Sequence, residues 1–297
     1  MSAVHPIDAG WRSDNPLPSV GQGTDKDSRG RVVIAGGSRF VPGALALTAE
    51  AALRAGAGKV QVATIAGAAL LLGIRLPEAA MIALPEDDEG EIARDAAATL
   101  IKSVGRCDTL IFGPGMSTRP HTADLVAEVL EQVGGEARVL LDAGALTALS
   151  DKAAAVRALE GRCVMTPHHG ELATLMGREK EAVAAAPEEH AAEAASRFNA
   201  VVALKGQATI VAHPDGRLIS HSSDAPGLGT AGSGDVLAGV IGGLLARGSD
   251  PMCAAGWGVW LHGRAGEAAG LHVAPLGFLA RELVREVAPL MGSQTVR

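Results

Sequence analysis

The chain has no tyrosine, and aromatic residues make up only 2% of its 297 positions. Its core must therefore be built from Ala, Val, Leu and Ile, which suits slim helices packed tightly on a parallel sheet. It has only three cysteines, Cys107, Cys163 and Cys253, odd in number and far apart. That excludes a disulfide framework and a cysteine-based metal site, so each is expected as a buried structural thiol in a reducing compartment. Positive charge is also short: 26 Lys and Arg against 33 Asp and Glu leave a net charge of -7. This balance argues against a nucleic-acid groove, which needs a basic face. It leaves room for a phosphate site, because main-chain N–H groups at a helix N-terminus hold phosphate without net positive charge. No run is long and uncharged enough to span a membrane, and the polar residues 1–29 lack the apolar stretch of a signal peptide. The expectation is a cytoplasmic chain without membrane or nucleic-acid partners, in which 1–29 form a loose N-terminal segment.

Hydrophobic residues reach 47% and charged ones 20%, the composition of a globular chain. Short apolar runs at 32–35, 60–63, 109–112, 139–142, 163–166 and 201–204 alternate with Ala-rich helical stretches. That alternation fits an α/β fold, a mostly parallel central sheet with helices on both faces. A hairpin is expected from 209–212 to 218–221, turned by His213-Pro214-Asp215-Gly216. Residues 44–55 are strong helix formers that stop at Gly56 and Gly58. Residues 235–246 place Val236, Leu237, Val240, Ile241, Leu244 and Leu245 on one helical stripe and stop at Arg247-Gly248. Residues 179–193 read as one charged, Ala-rich surface helix. Without a linker, a composition break or a repeat, 30–297 are expected as a single domain.

Glycines gather after the expected strands, where open α/β sheets bind ligands. The strings are Gly36-Gly37-Ser38, Gly113-Pro114-Gly115, the stretch Thr166 to Glu171, and Gly227 to Asp235. The last opens a helix, so the N–H groups of Ala231, Gly232, Ser233 and Gly234 lack intrahelical partners and face an anion at the positive end of the helix dipole. Asp235 beside them either stabilises the first turn or acts as general base for a hydroxyl while the amides hold a transferring phosphoryl group. Helix stability does not require three glycines and a serine before the Asp, which favours the second role. The string is no Walker loop, since no Gly-Lys-Ser/Thr follows, and its spacing is not that of a dinucleotide fingerprint. Lys205 closes a strand and is either a mobile charge for a nucleotide phosphate or a solvated hairpin residue. His168 and His169 are adjacent, point in different directions and form no bidentate metal site. Glu171 is the better candidate for Mg2+, held through water. His262, Trp257 and Trp260 fall in an apolar stretch where packing is the default.

The ordered strings GGSRFVPGALALTAEAALRAGAG, IFGPG, LLDAGAL, TPHHGE, LKGQAT, GTAGSGDVLAG and LHGRAG resemble the ADP- or ATP-dependent NAD(P)H-hydrate dehydratases of the ribokinase-like superfamily. The resemblance implies a three-layer α/β/α fold and a repair enzyme. Its substrate would be the S epimer of hydrated NADH or NADPH, phosphorylated on the ring hydroxyl at the expense of ADP or ATP and then relieved of phosphate. It further implies Asp235 as the catalytic residue, with Ala231, Gly232, Ser233 and Gly234 as its anion hole. Ala44, Gly115, His168 and Asp235 would touch the hydrated nucleotide. Lys205, Gly206, Gln207, Ala208, Thr209 and Gly234 would touch the adenine nucleotide. A homotetramer is also implied. Ala225, His169, Gly229 and Ala231 stand where the family usually has Asn, Pro, Ala and Gly. The rival of the same fold is a kinase of a vitamin-precursor alcohol, such as a hydroxymethylpyrimidine or hydroxyethylthiazole, and kinases of that type more often carry Asn in place of His168. A nucleotide-binding scaffold without catalysis is the third possibility, against which Asp235 speaks.

Overall fold

Short Val, Ile and Ala runs bounded by glycine become strands in the computed structural model, which describes residues 3–19 and 24–295. The strands are β1 (Val4–Pro6), β2 (Arg31–Ala35), β3 (Lys59–Ile65), β4 (Ala79–Leu84), β5 (Thr109–Phe112), β6 (Arg138–Leu141), β7 (Cys163–Met165), β8 (Val201–Leu204), β9 (Ala208–Ala212) and β10 (Leu218–Ser222). The helices are α1 (Ala9–Asp14), α2 (Gly43–Arg54), α3 (Ala66–Arg75), α4 (Ala97–Val104), α5 (Thr122–Glu131), α6 (Ala143–Thr147) and α7 (Ala153–Arg157). They continue as α8 (His169–Met176), α9 (Lys180–Ala185), α10 (Pro187–Phe198), α11 (Ser233–Ala246), α12 (Pro251–His272) and α13 (Ala280–Thr295).

All ten strands form one sheet in the order β1-β10-β9-β8-β7-β6-β5-β2-β3-β4. Among the described residues only β9 runs antiparallel to its neighbours. From β2 the chain moves outward through β3 and β4, then returns to β5 and proceeds the other way, so β2 and β5 flank the topological switch point. Their carboxyl ends lead into Gly36 and Gly113, and the crevice of an open parallel sheet lies at such a point. The expected strands and hairpin are present within one or two residues of their predicted ends. β4, six uncharged residues without alternation, was not anticipated, and neither was α3.

Two expectations need correction. Within 1–29, β1 pairs in parallel with the sheet edge at β10, and α1 packs Trp11 against Trp257 with ring centroids 6.5 Å apart. Trp257 donates its indole N–H to the Asn15 carbonyl at 2.6 Å. One Trp and an open strand edge thus anchor a segment whose polarity reads as loose; residues 1, 2 and 20–23 of that expectation lie outside the described residues. The helix expected over 179–193 is two helices, because Pro187 has no N–H to continue α9 and instead starts α10.

Packing aims the site. A Cβ at Gly239 would lie 2.3 Å from the Thr48 carbonyl oxygen, and one at Gly243 would lie 2.6 Å from that of Ala52. Both pairs step by four residues in the same direction, so α2 and α11 run parallel at backbone contact and present their N-termini at the same end of the sheet. Replacing Gly239 by Val forces the helices apart and is expected to lower stability by about 3 kcal/mol. Thermal unfolding measures this as a fall in Tm; an unchanged Tm would contradict the close crossing.

Candidate active site

α11 begins without the usual side-chain cap. Its N-cap, Gly232, has φ +88°, a conformation that suits glycine, and makes no side-chain hydrogen bond. The Ser233 N–H bonds the Thr230 carbonyl at 3.3 Å, and the first intrahelical bond runs from Val236 N–H to the Gly232 carbonyl at 3.2 Å. Among the described residues the N–H groups of Ala231, Gly232, Gly234 and Asp235 have no backbone carbonyl to bond. Of the four amides assigned to the anion turn, Ser233 is therefore the one directed elsewhere, since the turn 230–233 closes on itself. Ala231 does not take a positive φ, so alanine fits where the family usually has glycine.

Asp235 is half-buried in the first turn. Loss of water first, and then the Asp142 carboxylate, push its pKa up to about 7 against the downward pull of Lys205, with Glu171 adding to the rise. The Lys205 ammonium lies 3.0 Å from Asp142 Oδ1 and 3.7 Å from Glu171 Oε2. Burial works against its charge, but the attraction of Asp142 and Glu171 prevails and holds its pKa above the ordinary lysine value. Lys205 is thus ion-paired in the site, not solvated at a hairpin. Asp142, buried after β6, also accepts from Thr166 Oγ1 at 2.7 Å. Sequence reasoning gave Asp142 no role, although LLDAGAL was one of the ordered strings.

His168 caps α8: its Nδ1 accepts from the N–H groups of Gly170 and Glu171 at 3.0 and 3.1 Å, while Glu171 Oε2 accepts from the His168 N–H at 2.8 Å. With Nδ1 accepting, the hydrogen of the neutral ring sits on Nε2, which lies 3.7 Å from Glu171 Oε2. His169 packs on Gly206, where an added Cβ would meet its Nε2 at 3.1 Å. The placement of His262 as packing alone also needs correction. Its Nε2 lies 2.8 Å from Ser233 Oγ and 3.0 Å from the Ser233 carbonyl oxygen, and burial pushes its pKa down to about 4. Trp257 and Trp260 do pack, edge to face at 5.6 Å.

A cleft of about 790 Å³ opens here, lined by His168, Lys205, Gly206, Gln207, Thr209, Ser233, Gly234 and His262 among others. Ala208 sits at the start of β9 beside it. Ala44 and Gly115 do not line this cleft but meet each other: a Cβ on Gly115 would lie 3.0 Å from that of Ala44, and Leu47, one turn further along α2, reaches within 2.6 Å of a Cβ position on Gly232. Among the described residues no three His, Cys, Asp or Glu side chains gather so as to hold a metal ion by themselves. Glu171 Oε2 accepts from the His168 N–H and lies 3.7 Å from the Lys205 ammonium, which leaves its other oxygen to face a hydrated cation.

The NAD(P)H-hydrate dehydratase family model matches residues 32–289. An ADP-dependent (S)-NAD(P)H-hydrate dehydratase of Xanthomonas campestris pv. campestris is 45% identical over 97% of this chain and 96% of its own length. A crystal structure of the ADP/ATP-dependent NAD(P)H-hydrate dehydratase from Bacillus subtilis, co-crystallised with ATP/Mg2+, superposes with a TM-score of 0.80. It is 25% identical and covers 99% of this chain and 100% of that one. Ribokinase from Thermotoga maritima shares the fold alone, at a TM-score of 0.53 and 15% identity over 86% of this chain and 98% of that one. The chain spans about half the length of the bifunctional NAD(P)H-hydrate repair enzymes it matches.

The charge network makes a prediction. Carbon NMR of labelled Asp should find Asp235 titrating near pH 7. Because the Lys205 ammonium favours the carboxylate, Lys205→Met should move that midpoint higher; a midpoint near the ordinary aspartate value in the wild type would contradict the network.

Proposed function

Because this chain belongs to the NAD(P)H-hydrate dehydratase family, we propose that it removes water from the S epimer of hydrated NADH or NADPH at the expense of ADP or ATP. Residues 30–297 act as one catalytic domain of ribokinase-like fold. The adenine nucleotide lies along Lys205 to Thr209, with its terminal phosphoryl against the free amides of Gly232 and Gly234. The hydrated nicotinamide enters beside Ala44, Gly115 and His168, which brings its ring hydroxyl to Asp235.

Asp235 takes the hydroxyl proton as the oxygen attacks phosphorus, and the bond to the nucleotide's bridging oxygen breaks. The phosphate on the ring then leaves with the electron pair of the C–O bond, a neighbouring ring carbon gives up a proton, and the double bond returns. The observation that carries this reading is Asp235 itself, a carboxylate lifted to about 7 beside unpaired amides and a paired lysine. A base with that pKa is poised near the working pH. Mg2+, when bound with the nucleotide, supplies neutralisation of the phosphate charge, and Glu171 would hold it through water. A homotetramer in the cytoplasm is the setting proposed for this activity; the outward, apolar Leu70, Leu71 and Ile74 of α3 support association.

Asp235→Asn should leave nucleotide affinity nearly unchanged and lower turnover of hydrated NADH by about 10²- to 10⁴-fold, followed by the absorbance of the reduced nicotinamide. Since the ionised carboxylate is the active form, wild-type turnover should rise with pH through about 7. Activity in the Asn variant equal to wild type, or a phosphorylated alcohol as the only product, would contradict the proposal.

A further inference from the structure

Ser233 enters the anion turn through a side chain as well as a backbone. Its amide is taken by Thr230, while its hydroxyl, in a residue only 6% exposed, borders the cleft. The His262 Nε2 atom lies within hydrogen-bond distance of two oxygens of this one residue, Oγ at 2.8 Å and the carbonyl at 3.0 Å. A carbonyl oxygen only accepts, so Nε2 must carry the hydrogen. The opposite tautomer would set two acceptors against each other at 3.0 Å. With the N–H shared between carbonyl and Oγ, the serine's own O–H is not spent on the ring. Among the described residues Oγ has no other protein partner.

The segment around His262 is fixed. The Gly263 carbonyl accepts from Ser223 Oγ at 3.0 Å, and a Cβ on Gly263 would strike His221. The ring is thus braced from α12 while it holds the serine from behind. Phosphoryl oxygens are acceptors, so a site that binds them needs donors, and a hydroxyl whose own hydrogen remains free is one.

Building on the phosphoryl-transfer reading of this cleft, we propose that the Ser233 hydroxyl donates to an oxygen of the transferring phosphoryl group, with His262 as the positioning residue that aims it. The bond supplements the free amides of Gly232 and Gly234 and makes up for the amide that Ser233 directs to Thr230. The conservative variant His262→Gln keeps an N–H able to serve the Ser233 carbonyl.

The test compares Ser233→Ala, His262→Ala, the double variant and His262→Gln with wild type, using calorimetric titration with ADP and ATP and turnover of hydrated NADH. Ser233→Ala should weaken nucleotide binding about three- to tenfold and lower kcat about ten- to a hundredfold, the range for one hydrogen bond to a charged group, with little change in KM for the hydrate. His262→Ala should lose about as much, and the double variant no more than either single one, because the two residues act as one unit. His262→Gln should stay within about threefold of wild type. Wild-type nucleotide affinity in Ser233→Ala, or additive losses in the double variant, would overturn the proposal. Should His262→Ala fail to fold, Ser233→Ala and His262→Gln decide the matter between them. A wild-type enzyme inactive on the hydrate would sink the dehydratase reading, while the nucleotide titrations would still decide the role of Ser233.

Discussion

Main-chain amides left without partners at the start of α11 are the feature around which the rest is arranged. A helix N-terminus usually satisfies one of its orphan N–H groups with a Ser, Thr, Asp or Asn side chain at the N-cap. Here the cap is Gly232, which brings no such group. Leaving those donors open costs stability, and the body of α11 offsets it: from Val236 to Ala246 every residue is buried against the sheet, α2 or α12. The parallel contact with α2 at Gly239 and Gly243 then lines up two helix N-termini at the carboxyl edge of the sheet, both presenting partial positive charge to the same region.

The charged side chains extend this logic. Asp142 arrives from the end of β6, Glu171 from the first turn of α8 and Asp235 from the first turn of α11, and Lys205 is the cation that Asp142 and Glu171 share. Three carboxylates against one ammonium leave an excess of negative charge, and with desolvation this excess lifts Asp235 into the range where a carboxylate works as a base near neutral pH. Asp142 is buried and bonded to Thr166 and Lys205, which makes it an electrostatic support for its neighbours. Glu171 serves twice, in the cap of α8 and beside Lys205. One carboxylate thereby ties the start of α8 to the segment that carries Lys205.

Much of the fold was legible because its strands and helices are locally consistent. Buried runs such as 32–35 and 109–112 are bounded by glycine, and the striped segment 235–246 leaves little choice. β4 is hard to read because an uncharged, non-alternating edge strand looks like part of a helix, and the 179–193 break is hidden because Pro187 interrupts an otherwise continuous run of helix formers by starting a second helix. Residues 4–14 form structure through partners more than 200 positions away, Ser220 and Trp257, which no local pattern can reveal. In the site, chemistry and spacing single out Asp235 and the Gly turn, whereas for Lys205 they leave a solvated hairpin residue as the alternative and only the resemblance points to a nucleotide. They do not single out His262 or Asp142. Their roles depend on a 2.8 Å approach between residues 29 apart and a 3.0 Å ion pair between residues 63 apart, created by the crossing of α11 and α12 and by the order of strands.

The most direct measurement of the central claim is a crystal structure with a bound adenine nucleotide. The account predicts that the terminal phosphoryl oxygens lie within hydrogen-bond distance of the Gly232 and Gly234 N–H groups, between the Lys205 ammonium and the Asp235 carboxylate, with the base extending into the cleft beyond Thr209. A nucleotide seated with its phosphates away from the start of α11, or amides there closed onto protein carbonyls, would contradict it.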